Sequence, residues 1–365
     1  MYGFAPTEEQ KMLVDAISRF SKGDLRPAAH DAEEERTLPP SLIEKGWELG
    51  FLQASLPEAY GGFGERSAVT GVLAAEELAY GDLAGALAIM LPATFAIPIL
   101  MGGTEDQKKA LIPGVIEGNW AAYSSAFLEP TFDFDPNDMR TKATLSGGDY
   151  VLSGTKTFVP FAAEAAAMIV YAQLDNQPQA FLVRKGTAGL TVSEERMKLM
   201  GMNALTLYEV KLEEVHVPKA DRLGGDVGHD FAPLLASQRL ANAALAVGVA
   251  RAAFEFARDY AKEREAFGVK IAQKQAIAFM LAEMATEIEA SRLLTWEAAW
   301  KLDTGKEDYP VAAFLASTGA ADMAMTVTDR AVQILGGYGY IREFPVEMWM
   351  RNGRGFSTFT GLAIV

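Results

Sequence analysis

The feature that most constrains this chain is a change of texture at Trp120. After it come YVLSGTKTFVP, AMIVYAQL, AFLVRK, LTVSEE and TLYEVKLEEVHVP, short runs that are β-branched or aromatic and separated by Gly, Asn or Asp. These residues fit a pleated, half-buried surface, so the runs read as strands. On both sides the pattern is helical. Thr7 ahead of Glu8, Glu9 and Gln10 is an N-cap with acids in the first turn, which predicts a helix from about Glu8 to Lys22. Pro39-Pro40-Ser41 breaks the chain before a short helix stopped by Gly50, and Leu56 to Gly64 is rich in turn residues. Ser67 to Ala79, Ala84 to Leu100 and Thr104 to Ile112 follow as helices. From Phe231 the helical pattern returns. Ile277, Met280, Leu281, Met284 and Ile288 share one face, Gly305 and Pro310 end that helix pair, and Ala312 to Leu335 forms another long helix. Three domains are expected: helical over 1–120, β over 121–225 and a helical bundle over 226–365.

Composition narrows the function. A net charge of -15 without any basic block argues against nucleic-acid binding. With no cysteine, disulfides, thiolate metal sites and thiol nucleophiles are excluded. The amino terminus has no basic segment followed by an apolar run, so the cytoplasm is the expected compartment. The most apolar stretch, Leu83 to Gly103, carries Pro92 and Pro98 and reads as a buried helix pair broken at proline, with no membrane insertion. No P-loop, GxGxxG after a strand, HExxH or GxSxG occurs. His30, His216 and His229 are scattered, and no metal site is expected.

Two stretches remain. Arg264-Glu265-Ala266-Phe267-Gly268 closes a helix ahead of Gln275; an arginine, an aromatic and a glycine together suit a pyrophosphate and an adenine, or simply a helix C-cap with a surface arginine. Ala331 to Thr360 runs through Gln333, Gly336 and Gly337 into Arg342, Arg351 and Arg354, a candidate anion-handling wall.

Together LPEAYGGFG, EELAYGD, KEREAFGVKIAQKQAIAFMLAEMA and AVQILGGYGY closely resemble the acyl-CoA dehydrogenase family over the whole chain. The resemblance implies an N-terminal α-helical domain, a central β-barrel or sandwich domain and a C-terminal four-helix bundle. It implies a flavoprotein, usually a homotetramer, with FAD between the β domain and the second helical domain and its ADP half reaching a neighbouring subunit. Arg264, Phe267 and Gln275, with Gln333, Gly336 and Gly337, would form the ADP cradle. Met90, Leu91 and Phe95 would floor an apolar acyl pocket, with Arg239 and Phe134 also on the substrate side. The family removes a proton α to an acyl-CoA thioester while hydride passes from the β carbon to flavin. An electron-transfer flavoprotein then reoxidises the cofactor.

The chain departs from the family at its chemistry. Aligning Met350-Arg351 puts Thr360 where most members carry the basic glutamate, and Gln238, before Arg239, stands at the alternative glutamate position. Neither side chain acts as a general base near neutral pH. The flavin-edge loop reads Leu128-Glu129-Pro130-Thr131-Phe132-Asp133-Phe134, with Leu128 and Phe134 in place of hydroxyls, and the ring-covering strand reads Phe158-Val159-Pro160. Pro160 lacks even a backbone N–H. Three explanations stay open: a dehydrogenase whose base has moved, with Asp133 the replacement; a partner subunit of a hetero-oligomer that keeps the cradle for another chain's flavin; and a lyase-like use of the scaffold. A flavin-free relative with an interaction role is the fourth alternative.

Overall fold

The computed structural model describes residues 3–365. The N-terminal helices are α1 (Glu8–Phe20), α2 (Arg26–Glu35), α3 (Pro40–Trp47), α4 (Ala68–Gly81), α5 (Leu83–Met90), α6 (Ala93–Gly102) and α7 (Glu105–Ile116). Thr7 and Gln10 form the reciprocal capping box that the sequence predicts for α1. The helical path does not stop near Lys22, however. A π-helical turn, Ser21–Leu25, carries it into α2, where Pro27 sits in the first turn and no N–H is missed. The apolar stretch is a helix pair, α5 and α6, bent by 46° and buried almost throughout, with Pro92 capping α6.

The β domain holds β1 (Tyr123–Ala126), β2 (Lys142–Ser146), β3 (Asp149–Pro160), β4 (Ala167–Leu174), β5 (Gln177–Arg184), β6 (Leu190–Val192) and β7 (Leu207–Val217). They form one sheet in the order β1-β4-β2-β3-β7-β6, with β5 beside β4. β1 and β4 run parallel, and β3 pairs antiparallel with β2 and β7. The five runs singled out in the sequence are all strands, and β1 and β2 are additional ones. Inside the sheet, Lys156 is fully buried. Its Nζ donates to the Phe127 carbonyl and to Glu129 Oε1, both at 3.0 Å. Burial pulls the Lys156 pKa down to about 8 against the opposing charge of Glu129. Glu129 also accepts from the Arg140 and Thr141 amides, so this one pair pins the 127–130 loop.

The last region contains α8 (Ala232–Glu263), a hairpin of β8 (Glu265–Ala266) and β9 (Val269–Lys270), α9 (Gln275–Asp303), α10 (Tyr309–Leu335), α11 (Gly337–Tyr340) and α12 (Val346–Gly353). Among the described residues its helices are the three long ones, α8, α9 and α10, with the short α11 and α12. Pro310 starts α10 instead of ending the preceding pair, because the first turn of a helix needs no donor there. Of the predicted α9 face, Met284 and Ile288 are buried and Ile277, Met280 and Leu281 are half-buried. By length and composition α8 and α10 are apolar enough to cross a membrane, yet 78% of the apolar window of α8 is buried inside the protein.

The two helical regions meet where α4 crosses α8. At Gly248 an added Cβ would come within 2.3 Å of the Glu76 carbonyl oxygen, so the backbones approach as closely as a missing side chain permits. Beside the crossing, Arg251 pairs with Glu76 and Glu77 at 2.7 and 2.6 Å, and Arg292 of α9 pairs with Glu76 at 3.0 Å. The Tyr80 ring lies between two guanidinium groups, Arg26 at 3.9 Å and Arg251 at 4.2 Å. At the α4–α5 break, Asp82 caps α5 through Gly85 N at 2.7 Å, and burial raises its pKa to about 6.

Two outcomes are expected. Gly248→Ala should lower unfolding stability by about 1–3 kcal/mol, because two packed helices must separate to admit one methyl group. Chemical denaturation measures this, and an unchanged midpoint would show that the crossing is slack. Asp82 binds its proton more tightly when folded, so its contribution to stability falls as pH rises from 3.8 to about 6. Asp82→Asn should therefore gain on the wild type between pH 4 and pH 7.5, by up to about 3 kcal/mol. A difference independent of pH would contradict this.

Candidate flavin and acyl-CoA site

The glycines that end α10 build one cleft. α10 stops at Gly336, whose φ of 59° and ψ of -129° suit a residue without Cβ, and nothing lies within 4 Å of where a Cβ on Gly336 or Gly337 would stand. Arg264 ends α8 opposite them. With Tyr260, Ile271, Leu335 and Tyr338 these residues line a cavity of about 440 Å³. The Arg264 guanidinium lies 5.3 Å from the Tyr338 ring, and among the described residues it has no carboxylate partner. A cation without a counter-ion, facing open backbone, suits a diphosphate. Gln333 is exposed on the last turn of α10. Phe267 and Gln275 do not line this cleft: Phe267 is 94% exposed on the β8–β9 hairpin with φ 56°, and Gln275 is exposed at the start of α9.

Two of the three arginines of the candidate anion-handling wall are committed elsewhere, while Arg354 is exposed. Arg342 is engaged by Glu34, and Arg351 is held by Glu33 and by Glu347 at 2.8 Å. Their charges are already met within the chain.

Gln238 and the residue after Thr360 both lie against one aromatic cluster. The Phe127 ring lies 5.2 Å from Tyr171, 5.5 Å from Phe134 and 6.2 Å from Phe231. Gly361, next to Thr360, packs so closely that an added Cβ would meet Phe127 at 2.3 Å. Gln238 is 2% exposed and faces the Tyr171 hydroxyl, yet neither Gln238 Oε1 nor the hydroxyl reaches hydrogen-bond geometry. Burial pushes the phenol pKa up, with Gln238 opposing. Asp133 stays outside this cluster: its side chain is 75% exposed and paired with Arg140 at 2.9 Å. Phe134, its neighbour, points in.

At the ring end, Leu128 is buried and its carbonyl accepts from Thr157 N at 2.9 Å. Phe158 has φ 53° at an irregularity in the β3–β7 pairing, and the Pro160 carbonyl accepts from Ser124 Oγ at 2.7 Å. Leu128, Phe158, Pro160 and Phe134 thus share this end of the sheet but present no side-chain donor to a polar ring edge. The residues present suit the ADP half of FAD and do not suit its isoalloxazine edge.

The acyl-side residues are divided. Met90 lines a small cavity with Arg66, Ala93, Ile97, Ile364 and Val365. Leu91 packs on Ala122 and Ala165, and the Phe95 ring lies 5.0 Å from Tyr123. Arg239 lines a separate cleft of about 400 Å³ with Asn137, Gln179, His229 and Phe231. His229 is neutral near pH 7, because burial takes its pKa down to about 4. Sequence reading passed over Tyr171, Lys156 and Arg66. A tyrosine in a mostly apolar strand, or one lysine or arginine among many, carries no spacing signal.

The comparisons agree with this architecture. Models of the acyl-CoA dehydrogenase N-terminal, middle and C-terminal domains match residues 7–119, 124–215 and 231–363. Cyclohex-1-ene-1-carbonyl-CoA dehydrogenase of Geobacter metallireducens is 35% identical over 363 residues, 97% of this chain and 95% of that protein. Butyryl-CoA dehydrogenase from Megasphaera elsdenii superposes with a TM-score of 0.89 at 33% identity, covering 99% of this chain and 96% of the other. A chain in a structure described as the electron transferring flavoprotein of Acidaminococcus fermentans has the same TM-score at 35% identity, covering 99% and 96%. The chain belongs to the acyl-CoA dehydrogenase family.

Proposed function

We propose that the chain is an FAD-dependent acyl-CoA dehydrogenase acting on an acyl-CoA thioester, with the proton-abstracting base supplied from outside positions 238 and 360. The observation that carries this reading is the cleft of Arg264, Gly336 and Gly337, an unpaired guanidinium facing open backbone. Arg264 would hold the diphosphate, and the two glycines would let it approach the main chain. Bound FAD supplies the hydride acceptor. Phe267 and Gln275, turned outward, would complete the cradle of a neighbouring subunit in a homotetramer or hetero-oligomer. Arg239 would face the substrate from its own cleft. An electron-transfer flavoprotein is the proposed redox partner and the cytoplasm the proposed compartment.

A second reading has its own support. The Phe127 cluster packs against Gly361, beside Thr360, and against Tyr171, which Gln238 faces, and among the described residues no carboxylate enters it. This favours a catalytically silent subunit that lends its cradle to a homologous partner. No proton or hydride step is assigned to this chain's own ring end.

Purification decides between the two. A flavin absorption band in the isolated chain, bleached by acyl-CoA, supports the first reading. A chain colourless alone and yellow with a co-expressed homologous subunit supports the second, and one colourless in both settings overturns both. In whichever form is yellow, Arg264→Ala should reduce the FAD retained per chain by roughly tenfold or more, as for loss of charge-assisted hydrogen bonds. Retention at the wild-type level would remove Arg264 from the cradle.

A further inference from the structure

We propose that Tyr171 and Gln238 form the polar end of a buried ligand site, closed by Phe134, that takes a hydroxyl carried on the acyl group of a thioester. This deepens the acyl-CoA reading above and rests on it. Tyr171 of β4 is fully buried and Gln238 of α8 is 2% exposed. The phenol oxygen and Gln238 Oε1 are shielded from solvent, and neither has a hydrogen-bond partner among the described residues. Their surroundings are the rings of Phe127 and Phe231, with Phe134 behind Phe127, none of which offers a polar side-chain atom. Two unmet polar groups in an aromatic surround are unfavourable until a partner reaches them.

The two unmet groups are of opposite kind. The phenol has an O–H to donate, and Gln238 Oε1 is an acceptor. A ligand carbonyl only accepts, so it would serve the phenol and leave the amide oxygen unmet. An ammonium only donates, and a carboxylate would bring a charge into an aromatic surround. A hydroxyl is the smallest group that serves both at once, accepting from Tyr171 and donating to Gln238.

An approach to the pair is present. Phe231, Leu235 and Gln238 follow at i, i+4 and i+7, so they share one face at the start of α8. The first two line the cleft of about 400 Å³ that also holds Arg239, and the Phe231 ring lies 5.9 Å from Tyr171. Asn137, on the same cleft, belongs to the segment that joins β1 to β2. That segment is fastened at both ends. Glu129 accepts from the Arg140 and Thr141 amides, while Gln173 donates to the Asn137 carbonyl at 3.1 Å and accepts from the Met139 amide at 3.3 Å. Between these anchors the arc 130–136 carries the exposed Asp133–Arg140 pair, which contributes little, and the half-buried Phe134 ring, 5.5 Å from Phe127. The arc lies outside every strand, so Phe134 can swing out of the cluster with no loss of sheet hydrogen bonds. Its withdrawal gives the Phe127 ring room to turn and exposes Tyr171 and Gln238 to the cleft.

The test is a calorimetric titration of the purified protein, with whatever flavin and partner subunit it retains. Hexanoyl-CoA is compared with its 2-, 3- and 6-hydroxy derivatives and with the oxo counterpart of whichever binds best. At one position or more the hydroxylated thioester should bind about tenfold more tightly than hexanoyl-CoA, as expected where buried polar groups gain partners, and the oxo compound should not share the gain. Tyr171→Phe removes one oxygen and keeps the ring. It should bring the ratio near one, leave hexanoyl-CoA within about twofold, and leave the denaturation midpoint unchanged or raised, since the phenol oxygen has no bond to lose. Phe134→Ala should speed association of the preferred thioester in stopped flow, and association no faster than in the wild type removes Phe134 as the closing side chain. Equal affinity at every position in the wild type overturns the inference, as does a preference that survives in Tyr171→Phe or an oxo compound that gains as much as the hydroxyl. The wild-type comparison decides even where a variant fails to fold. Hexanoyl-CoA and all its derivatives failing to bind would overturn the acyl-CoA reading itself, and this inference with it.

Discussion

The close crossing of α4 and α8 at Gly248 is the constraint on which the rest depends. It joins two helical regions that are separated in sequence by the whole β domain, and it does so through backbone rather than side-chain contact. Helices this close leave no room for solvent, so the polar load of Glu76 and Glu77 has to be met locally. Arg251 and Arg292 meet it from α8 and α9. Such buried pairs add little net stability, but removing one partner leaves an uncompensated charge, so they penalise any other register of the helices. The positions of Gln238, Arg239 and Arg66 relative to the α5–α6 pair follow from this one contact.

The departures from the family pattern share a location. Leu128, Phe134, Phe158 and Pro160 lie far apart in the list of motifs, yet in space they share one end of the sheet with Phe127. Gly361, in the turn beyond α12, and Gln238 of α8 approach the same cluster. Replacing hydroxyls by apolar groups allows an aromatic core to close where a polar ring edge would need donors. The Arg264–Gly336–Gly337 cleft lies on another surface, governed by the glycines after α10, so the two places are shaped by separate elements.

How much of this was legible in sequence depends on which force sets each element. β4 was readable because all eight of its residues are buried and most are β-branched, aromatic or otherwise apolar. β1 and β2 were not, since YSSA and the mostly exposed KATLS owe their form to their neighbours rather than to their own side chains. The proline rules mislead at Pro310, because a missing donor is as harmless at the beginning of a helix as beyond its end. At the site, glycine spacing marked the Arg264–Gly336–Gly337 cleft. It could not mark Tyr171, which meets Gln238 only when β4 and α8 come together in the fold. Nor could it tell that Arg342 and Arg351 are already paired within the chain, because Glu33 and Glu34 lie on α2.

The Lys156–Glu129 pair has a chemical side as well as a structural one. A primary amine whose pKa is near 8 is more nucleophilic at neutral pH than an ordinary surface lysine, yet this one is sealed inside the sheet. That depression comes from burial, so it lasts only while the amine is out of reach of solvent. Acylating reagents would reach it only when the 127–130 loop lifts or the sheet opens, so modification at this lysine records the rate of that opening rather than the reactivity of the surface.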